Sequence, residues 1–152
     1  MNKDGKKVIA ILTDRSFYAH NIEVPINHIS DILKANHKDT IFVYGMNSRV
    51  DDSVERFCAT YRVPKENMIK FEYSTDNPTI VSKQFANVIT YSPDKVYIFR
   101  DNPSSADTNT LINKCKQYNI PVVTINSQNE ECIIDKPFAH DNKIYYKNKG
   151  GF

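Results

Sequence analysis

A short polar segment with an arginine follows the first apolar run of the chain. The segment, residues 13–17, comes directly after the run 8–12. The Arg15 guanidinium is suited to a bidentate contact with a phosphate or a carboxylate, and Phe17 or Tyr18 is suited to stacking on a base. In the alternative interpretation, Asp14 and Arg15 only cap and pair with neighbouring loops. The segment is therefore a candidate anion-binding loop, although it has no glycine to bring the backbone close to a phosphate.

A second candidate loop, residues 45–52, follows the apolar run 41–44. Gly45 permits a sharp exit from a strand, and Arg49 carries a charge that attracts an anion. Asp51 suits a helix N-terminus, where a carboxylate accepts hydrogen bonds from unpaired backbone N–H groups, and Asp52 suits the same capping role. We therefore expect Gly45, Arg49 and Asp51 to contribute to a ligand site, with helix capping alone as the alternative.

The loop at residues 100–109 is the richest in polar side chains. Its Ser104, Ser105 and Thr108 lie at the opening of a predicted helix, where hydroxyls, backbone amides and the helix dipole favour an anion. In the alternative interpretation the serines only cap that helix. The remaining candidates for polar contacts with a ligand are Arg100, Asp101 and Asn87, the last on the helix before the fourth strand.

Other chemistries have little support in the sequence. The 152 residues carry a net charge of +2, which is too small for a protein whose main task is neutralising a nucleic-acid backbone. There is no GxxxxGK[ST] loop, no nucleophile elbow and no metal-ligand spacing of the three cysteines, so we predict reduced thiols, no metal and no cofactor. The chain has no apolar run of the about 20 residues that span a bilayer, and its polar start does not resemble a signal peptide, which predicts a cytoplasmic protein.

Five short apolar runs recur between helical patterns, at residues 8–12, 41–44, 68–71, 96–99 and 122–125. Four of them are almost continuous in β-branched and aromatic residues, as expected of parallel strands that are covered on both faces. The run 68–71 is weaker, and we expect it nearer the edge of the sheet.

Helical spacing links these runs. The first helix is predicted over about 22–35, with Pro25 in its first turn. Prolines at positions 64 and 93 end the second and third helices. The predicted N-caps or first residues of the second, third and fourth helices are Asp51 or Asp52, Pro78, and Ser105 or Asp107.

This alternation predicts one domain over residues 1–152, with a three-layer α/β/α, Rossmann-like fold and an open parallel sheet of strand order 3-2-1-4-5. The core covers 7–126. Residues 127–152 form an appendage, predicted as a hairpin or an added edge strand with a turn at 140–142. Ligands of such sheets bind beyond the carboxyl ends of the strands, here in the crevice between the first and fourth strands.

Over residues 7–126 the order of these segments resembles the SLOG superfamily of Rossmann-like nucleotide-binding proteins. This superfamily includes the YspA-like group and is related to the lysine-decarboxylase-like phosphoribohydrolases and to the DNA-processing protein DprA. In the YspA-like pattern, Gly-Ser-Arg and an aromatic residue end the first strand, Gly-Gly-Ala-x-Gly-x-Asp follows the second, Arg-Asn precedes the fourth, and Ser-x-Gly-Thr opens the last helix. The residues that keep the pattern are Arg15, Gly45, Asp51, Asn87, Phe99, Ser105 and Thr108.

The departures from the family pattern concern glycines and one arginine. Met46 and Arg49 replace two glycines of the second loop, Ala86 stands in place of the arginine, and Asp107 replaces the glycine of the last motif. The aspartate puts a negative charge where the family would hold one, which implies a different ligand or a lost site. The Pro-Gly-Gly-x-Gly-Thr-x-x-Glu run of the phosphoribohydrolases is also missing.

The resemblance implies non-catalytic binding of a small nucleotide-derived ligand by a homodimer, in a sensor or sequestering protein of a phage or a bacterial defence system. A nucleotide N-glycosidase is the enzymatic alternative, and its carboxylate would be Asp14, Asp101 or Asp107. The third alternative is a pocketless scaffold that binds a partner protein.

Overall fold

The computed structural model describes residue 2 and residues 4–18, 22–71, 77–134 and 145–148 of the chain. The strands in these ranges are β1 (Lys7–Thr13), β2 (Thr40–Gly45), β3 (Met68–Phe71), β4 (Lys95–Phe99), β5 (Val122–Ile125), β6 (Glu130–Ile134) and β7 (Tyr145–Asn148). The α-helices are α1 (Glu23–Asn36), α2 (Ser48–Thr60), α3 (Pro78–Ala86) and α4 (Ala106–Gln117). Short 3-10 segments cover Lys65–Asn67 and Asn87–Tyr91. None of the helices in the described ranges has the length and apolar composition that a bilayer span requires.

The strands form one mixed sheet in the order β3-β2-β1-β4-β5-β6-β7. Neighbouring strands from β1 to β5 pair in parallel, which confirms the predicted α/β class and the 3-2-1-4-5 order. The weakest strand, β3, lies at the edge, as predicted. β6 and β7 extend the other end of the sheet in antiparallel pairing, so the C-terminal appendage is the predicted hairpin, whose turn at 140–142 lies outside the described residues.

Two helical layers cover the sheet, and each strand contributes alternate residues to the two cores. On β1, Ile9 and Ile11 pack with α1 and α2, whereas Ala10 and Leu12 pack with α3 and α4. Because both faces of the central strands are buried, their sequences are apolar without interruption. The core on the α1 and α2 side includes the helical residues Ile29, Leu33, Val54 and Cys58. The core on the α3 and α4 side includes Val81, Phe85, Leu111 and Cys115.

Helix α2 begins earlier than the sequence predicts. Asn47 is its N-cap and accepts hydrogen bonds from the backbone N–H groups of Arg49 and Val50. The predicted caps Asp51 and Asp52 lie inside the helix instead. The prediction was wrong because asparagine caps a helix as well as aspartate does, and Asn47 comes first in the chain.

The described cysteines are free thiols in the core. Cys58, Cys115 and Cys132 are all buried and form no disulfide. Burial raises the pKa of Cys58 and of Cys115 to about 12. Thiols with so high a pKa remain protonated at neutral pH and are poor nucleophiles.

The last residue of β1 carries a buried hydroxyl whose removal we expect to stabilise the protein. Thr13 Oγ1 has no hydrogen-bond partner, and an unsatisfied buried polar atom costs about 1 kcal/mol or more. Thr13→Val keeps the shape of the side chain and removes that cost, so we expect the free energy of unfolding in urea to rise by about 1 kcal/mol.

Thr40→Val is the matched control for this substitution. Thr40 is equally buried in the neighbouring strand, but its Oγ1 donates to the Lys38 carbonyl oxygen at 2.9 Å. We expect this variant to lose about 1 kcal/mol. A loss of stability in both variants would contradict the assignment of Thr13 as an unsatisfied hydroxyl.

Candidate functional site

The loops after β1 and β4 start side by side at the carboxyl edge of the sheet. Thr13 and Phe99 are register partners in the parallel pairing of these strands. The residue after each strand continues the pairing with the neighbouring strand. The Asp14 backbone N–H donates to the Phe99 carbonyl oxygen at 2.8 Å, and the Arg100 backbone N–H donates to the Ile125 carbonyl oxygen at 2.9 Å. The two loops and the start of α4 therefore meet in one place.

The Asp14 carboxylate links the first loop to α4. It is almost fully buried. Oδ1 accepts from the Ser16 backbone N–H at 2.8 Å and from Ser105 Oγ at 2.9 Å, and Oδ2 accepts from Thr108 Oγ1 at 2.8 Å. Both serine and threonine hydroxyls at the start of α4 thus point to this carboxylate, which holds the loop against the helix.

Arg15 forms a bidentate ion pair with Asp107 in the first turn of α4. Arg15 Nε lies 2.8 Å from Asp107 Oδ2, and Arg15 Nη2 lies 2.8 Å from Asp107 Oδ1. The Arg15 side chain is 26% exposed and that of Asp107 is 8% exposed. Asp107 lies in the first turn of α4, where the helix dipole favours a negative charge. Asp107 is therefore a partner of Arg15, the arginine that the sequence predicts to bind an anion.

Asp101 joins three loops. Its Oδ1 accepts from the backbone N–H of Ser127 at 2.7 Å and from the hydroxyl of the same residue at 2.8 Å. Its Oδ2 accepts from the backbone N–H of Tyr18. Ser16 Oγ accepts in turn from the backbone N–H groups of Asp101 and Asn102, at 3.2 and 3.1 Å. The loops after β1 and β4 and the turn after β5 are thus held together by side-chain bonds to backbone N–H groups.

Arg100 points into the protein. It is 6% exposed. Its guanidinium Nη1 donates to Asn109 Oδ1 at 2.8 Å and more weakly to Thr108 Oγ1 at 3.4 Å. Arg100 and Asp101 also line a small pocket of about 90 Å³ that reaches Cys132 on β6. Arg100, which the sequence predicts as a ligand contact, is therefore buried and connects the end of β4 to α4.

The first-loop aromatics differ in exposure. The Phe17 ring is buried and packs against Phe99 at a centroid distance of 5.6 Å, so it belongs to the core of α1 and α2. Tyr18 is 61% exposed. Of the two rings that suit base stacking, only the Tyr18 ring faces solvent.

The second loop, residues 45–52, packs against β3 at its start and forms the first turn of α2 at its end. A Cβ atom on Gly45 would lie 1.9 Å from the Phe71 carbonyl oxygen, so glycine is required by the close approach of β3. Met46 is buried and has a positive φ of 83°, a backbone conformation that favours glycine. Asp51 is buried in the first turn of α2, and Arg49 is exposed.

The remaining predicted residues lie in two places. Ser104 is exposed and its backbone N–H donates to Asn102 Oδ1 at 2.9 Å. Asn87 is exposed at the end of α3 and lines a groove whose other lining residues belong to α3 and α4. Asn87 therefore lies on a face of the molecule rather than among the loops at the strand ends.

Together, the described loops form a polar cluster of Asp14, Arg15, Ser16, Asp101, Ser105, Asp107 and Thr108. Ser16 and Asp107 were not among the predicted ligand residues, and the negative charge of Asp107 was the only sequence signal for its role. The carboxylates of this cluster accept hydrogen bonds or an ion pair from protein donors. Within the described ranges, no group of three His, Cys, Asp or Glu side chains is arranged to hold a metal ion.

Comparison with known proteins identifies no family for this chain. No protein-family model and no curated protein matches the chain, so membership of the SLOG superfamily stays a prediction. Among solved structures, Can2 from Sulfobacillus thermosulfidooxidans in complex with cyclic tetra-adenylate has a TM-score of 0.48 and 12% identity, over 91% of this chain and 36% of that chain. VC1899 from Vibrio cholerae has a TM-score of 0.47 and 11% identity, over 91% of this chain and 35% of that chain. The chain thus spans about a third of the length of each of these proteins.

Proposed function

We propose that this protein binds a small, phosphate-bearing, nucleotide-derived ligand at the carboxyl edge of the sheet, without converting it chemically. The observation that supports the proposal is the partly exposed Arg15 guanidinium, held in bidentate geometry by Asp107 in the first turn of α4. A phosphate has the same bidentate hydrogen-bonding geometry as a carboxylate. In the proposed mechanism the ligand phosphate displaces the Asp107 carboxylate from Arg15.

The proposal of binding without chemical conversion is supported by the contacts of the carboxylates. Asp14 and Asp101 are each held by donors from two or more segments. These bonds give both carboxylates a structural role, which supports binding rather than catalysis at this edge of the sheet. The resemblance to SLOG proteins supports the nucleotide-derived class and, with it, a cytoplasmic homodimer acting as a sensor or sequestering protein in a phage or defence setting.

Neutralising Asp107 is expected to tighten ligand binding. Asp107→Asn removes the competing carboxylate. Because a partly exposed ion pair contributes about 1 kcal/mol, the affinity for a phosphate ligand should rise about fivefold. Arg15→Gln should abolish binding. The measurement is a thermal-shift panel of nucleoside monophosphates, cyclic dinucleotides and ADP-ribose on the wild type and both variants.

Arg56→Gln is the matched control, because Arg56 is an arginine on α2, outside the polar cluster. It should respond to every compound as the wild type does. Equal shifts in the wild type, Asp107→Asn and Arg15→Gln would place the ligand elsewhere and contradict the proposal.

A protein-binding scaffold is the second candidate function. It is favoured because the polar side chains of the cluster already bind one another. Arg15 is paired with the Asp107 carboxylate, and the Asp14 carboxylate accepts three hydrogen bonds. A ligand at 100 times its dissociation constant stabilises a protein by about 2.7 kcal/mol. If no compound of the panel shifts the melting temperature of the wild type or of Asp107→Asn, the scaffold function is the one to pursue.

A further inference from the structure

A groove of about 550 Å³ runs between α3 and α4 on the face of the sheet opposite α1 and α2. Each of these helices precedes a parallel strand of the sheet, so they run in the same direction along this face. Ser82 Oγ and Thr110 Oγ1 lie 3.1 Å apart and join them by a hydrogen bond. The volume is within the range of small-molecule sites, about 300 to 1,000 Å³.

The lining of the groove is cationic at one end. Lys83 and Lys114 lie in the last turns of α3 and α4, and Asn87 follows directly after α3. Neither lysine makes an ion pair with a described residue. None of the lining residues is acidic. Two ammonium groups and an amide at one end of a concave surface favour an anion such as a phosphate, and their charge has to outweigh the partial negative charge at the carboxyl-terminal ends of α3 and α4.

The other half of the groove carries hydroxyl groups, and no aromatic side chain lines it. Thr79, Ser82 and Thr110 present hydroxyl groups there, and the apolar part of the lining is made of small residues such as Ala86 and Ala106. A base finds no aromatic side chain to stack on, whereas the hydroxyl groups of a sugar can exchange hydrogen bonds with the serine and threonines.

From this arrangement we propose a second ligand site, in which the groove between α3 and α4 binds a small sugar phosphate. The phosphate lies at the end with Lys83, Lys114 and Asn87, and the sugar lies along Ser82 and Thr110. This site shares no residue with the Arg15–Asp107 pair and does not depend on the function proposed above.

The test is a titration of ¹⁵N-labelled protein with ribose 5-phosphate, followed by amide chemical shifts. Ribose and inorganic phosphate are titrated separately. We expect ribose 5-phosphate to shift amides of both helices along the groove, phosphate to bind more weakly at the lysine end, and ribose to have no effect. Inorganic phosphate binding as tightly as ribose 5-phosphate would overturn the proposal of a sugar-phosphate site.

Charge-neutral variants locate the site. Lys83→Gln and Lys114→Gln each remove one charged hydrogen bond, which should raise the dissociation constant about tenfold. Lys34→Gln, on an exposed position of α1, is the matched control and should leave the dissociation constant unchanged. Unchanged affinity in both groove variants, or shifts that fall outside α3 and α4, would overturn the proposal, and both measurements are made on variants whose amide spectra report that the fold is kept.

Discussion

Replacing Gly45 by alanine is expected to lower the free energy of unfolding by about 3 kcal/mol. The added Cβ would lie 1.9 Å from the Phe71 carbonyl oxygen and 2.9 Å from its carbonyl carbon. These are backbone atoms of β3, which pairs with β2 in the register Gly45 to Phe71, so no side chain can rotate to relieve the overlap. The edge strand would have to move away from β2, and urea unfolding followed by circular dichroism measures the loss.

Gly5→Ala separates this steric effect from the conformational cost of losing a glycine. Gly5 has a φ of +77°, but no atom lies within 4 Å of the position that a Cβ would take there. An alanine at this position should cost only about 1 kcal/mol, because the left-handed conformation is unfavourable for a residue with a side chain. If the two variants lose the same stability, the contact with Phe71 does not explain the requirement for glycine at position 45.

Much of the fold follows from the sequence because the central strands are buried on both faces. Residues such as Ile9 and Ala10 enter different cores, so every position in the middle of β1 has to be apolar, and the strand is visible without any partner. The start of α2 is not visible in the same way. Asn47, Ser48 and Asp51 are all good capping residues, and only the path of the chain after Gly45 decides which of them caps the helix.

The candidate site is predictable in its backbone and not in its side chains. Parallel strands must bring the loops with Arg15 and Asp101 to one edge of the sheet, and these loops do converge. The partner of Arg15 is Asp107, 92 residues away, and the direction of a long side chain cannot be read from local spacing. The sequence pattern identifies the unusual charge of Asp107, but only the folded structure shows that the Asp107 carboxylate forms an ion pair with Arg15.

Asp14 controls the stability of this same edge, and Asp14→Ala is expected to cost about 3 kcal/mol. The substitution leaves the Ser16 N–H and the hydroxyls of Ser105 and Thr108 without the acceptor that they share. Buried hydrogen bonds to a charged group contribute about 1.5 to 3 kcal/mol each and are not additive. Thermal unfolding should show a fall in Tm of roughly 6 to 12 °C for a domain of this size.

Asp14→Asn tests whether the geometry or the charge of this carboxylate holds the loop. The amide keeps the shape and one acceptor oxygen, and the Thr108 hydroxyl can rotate to accept from its NH2 group, so we expect about half the loss seen with alanine. Combining each variant with Thr108→Val gives a double-mutant cycle, in which the coupling energy between positions 14 and 108 should exceed about 0.5 kcal/mol. A loss below about 1 kcal/mol for Asp14→Ala, or additive effects in the cycle, would mean that the first loop is held to α4 by other contacts, and the Arg15–Asp107 pair would then be the one to examine.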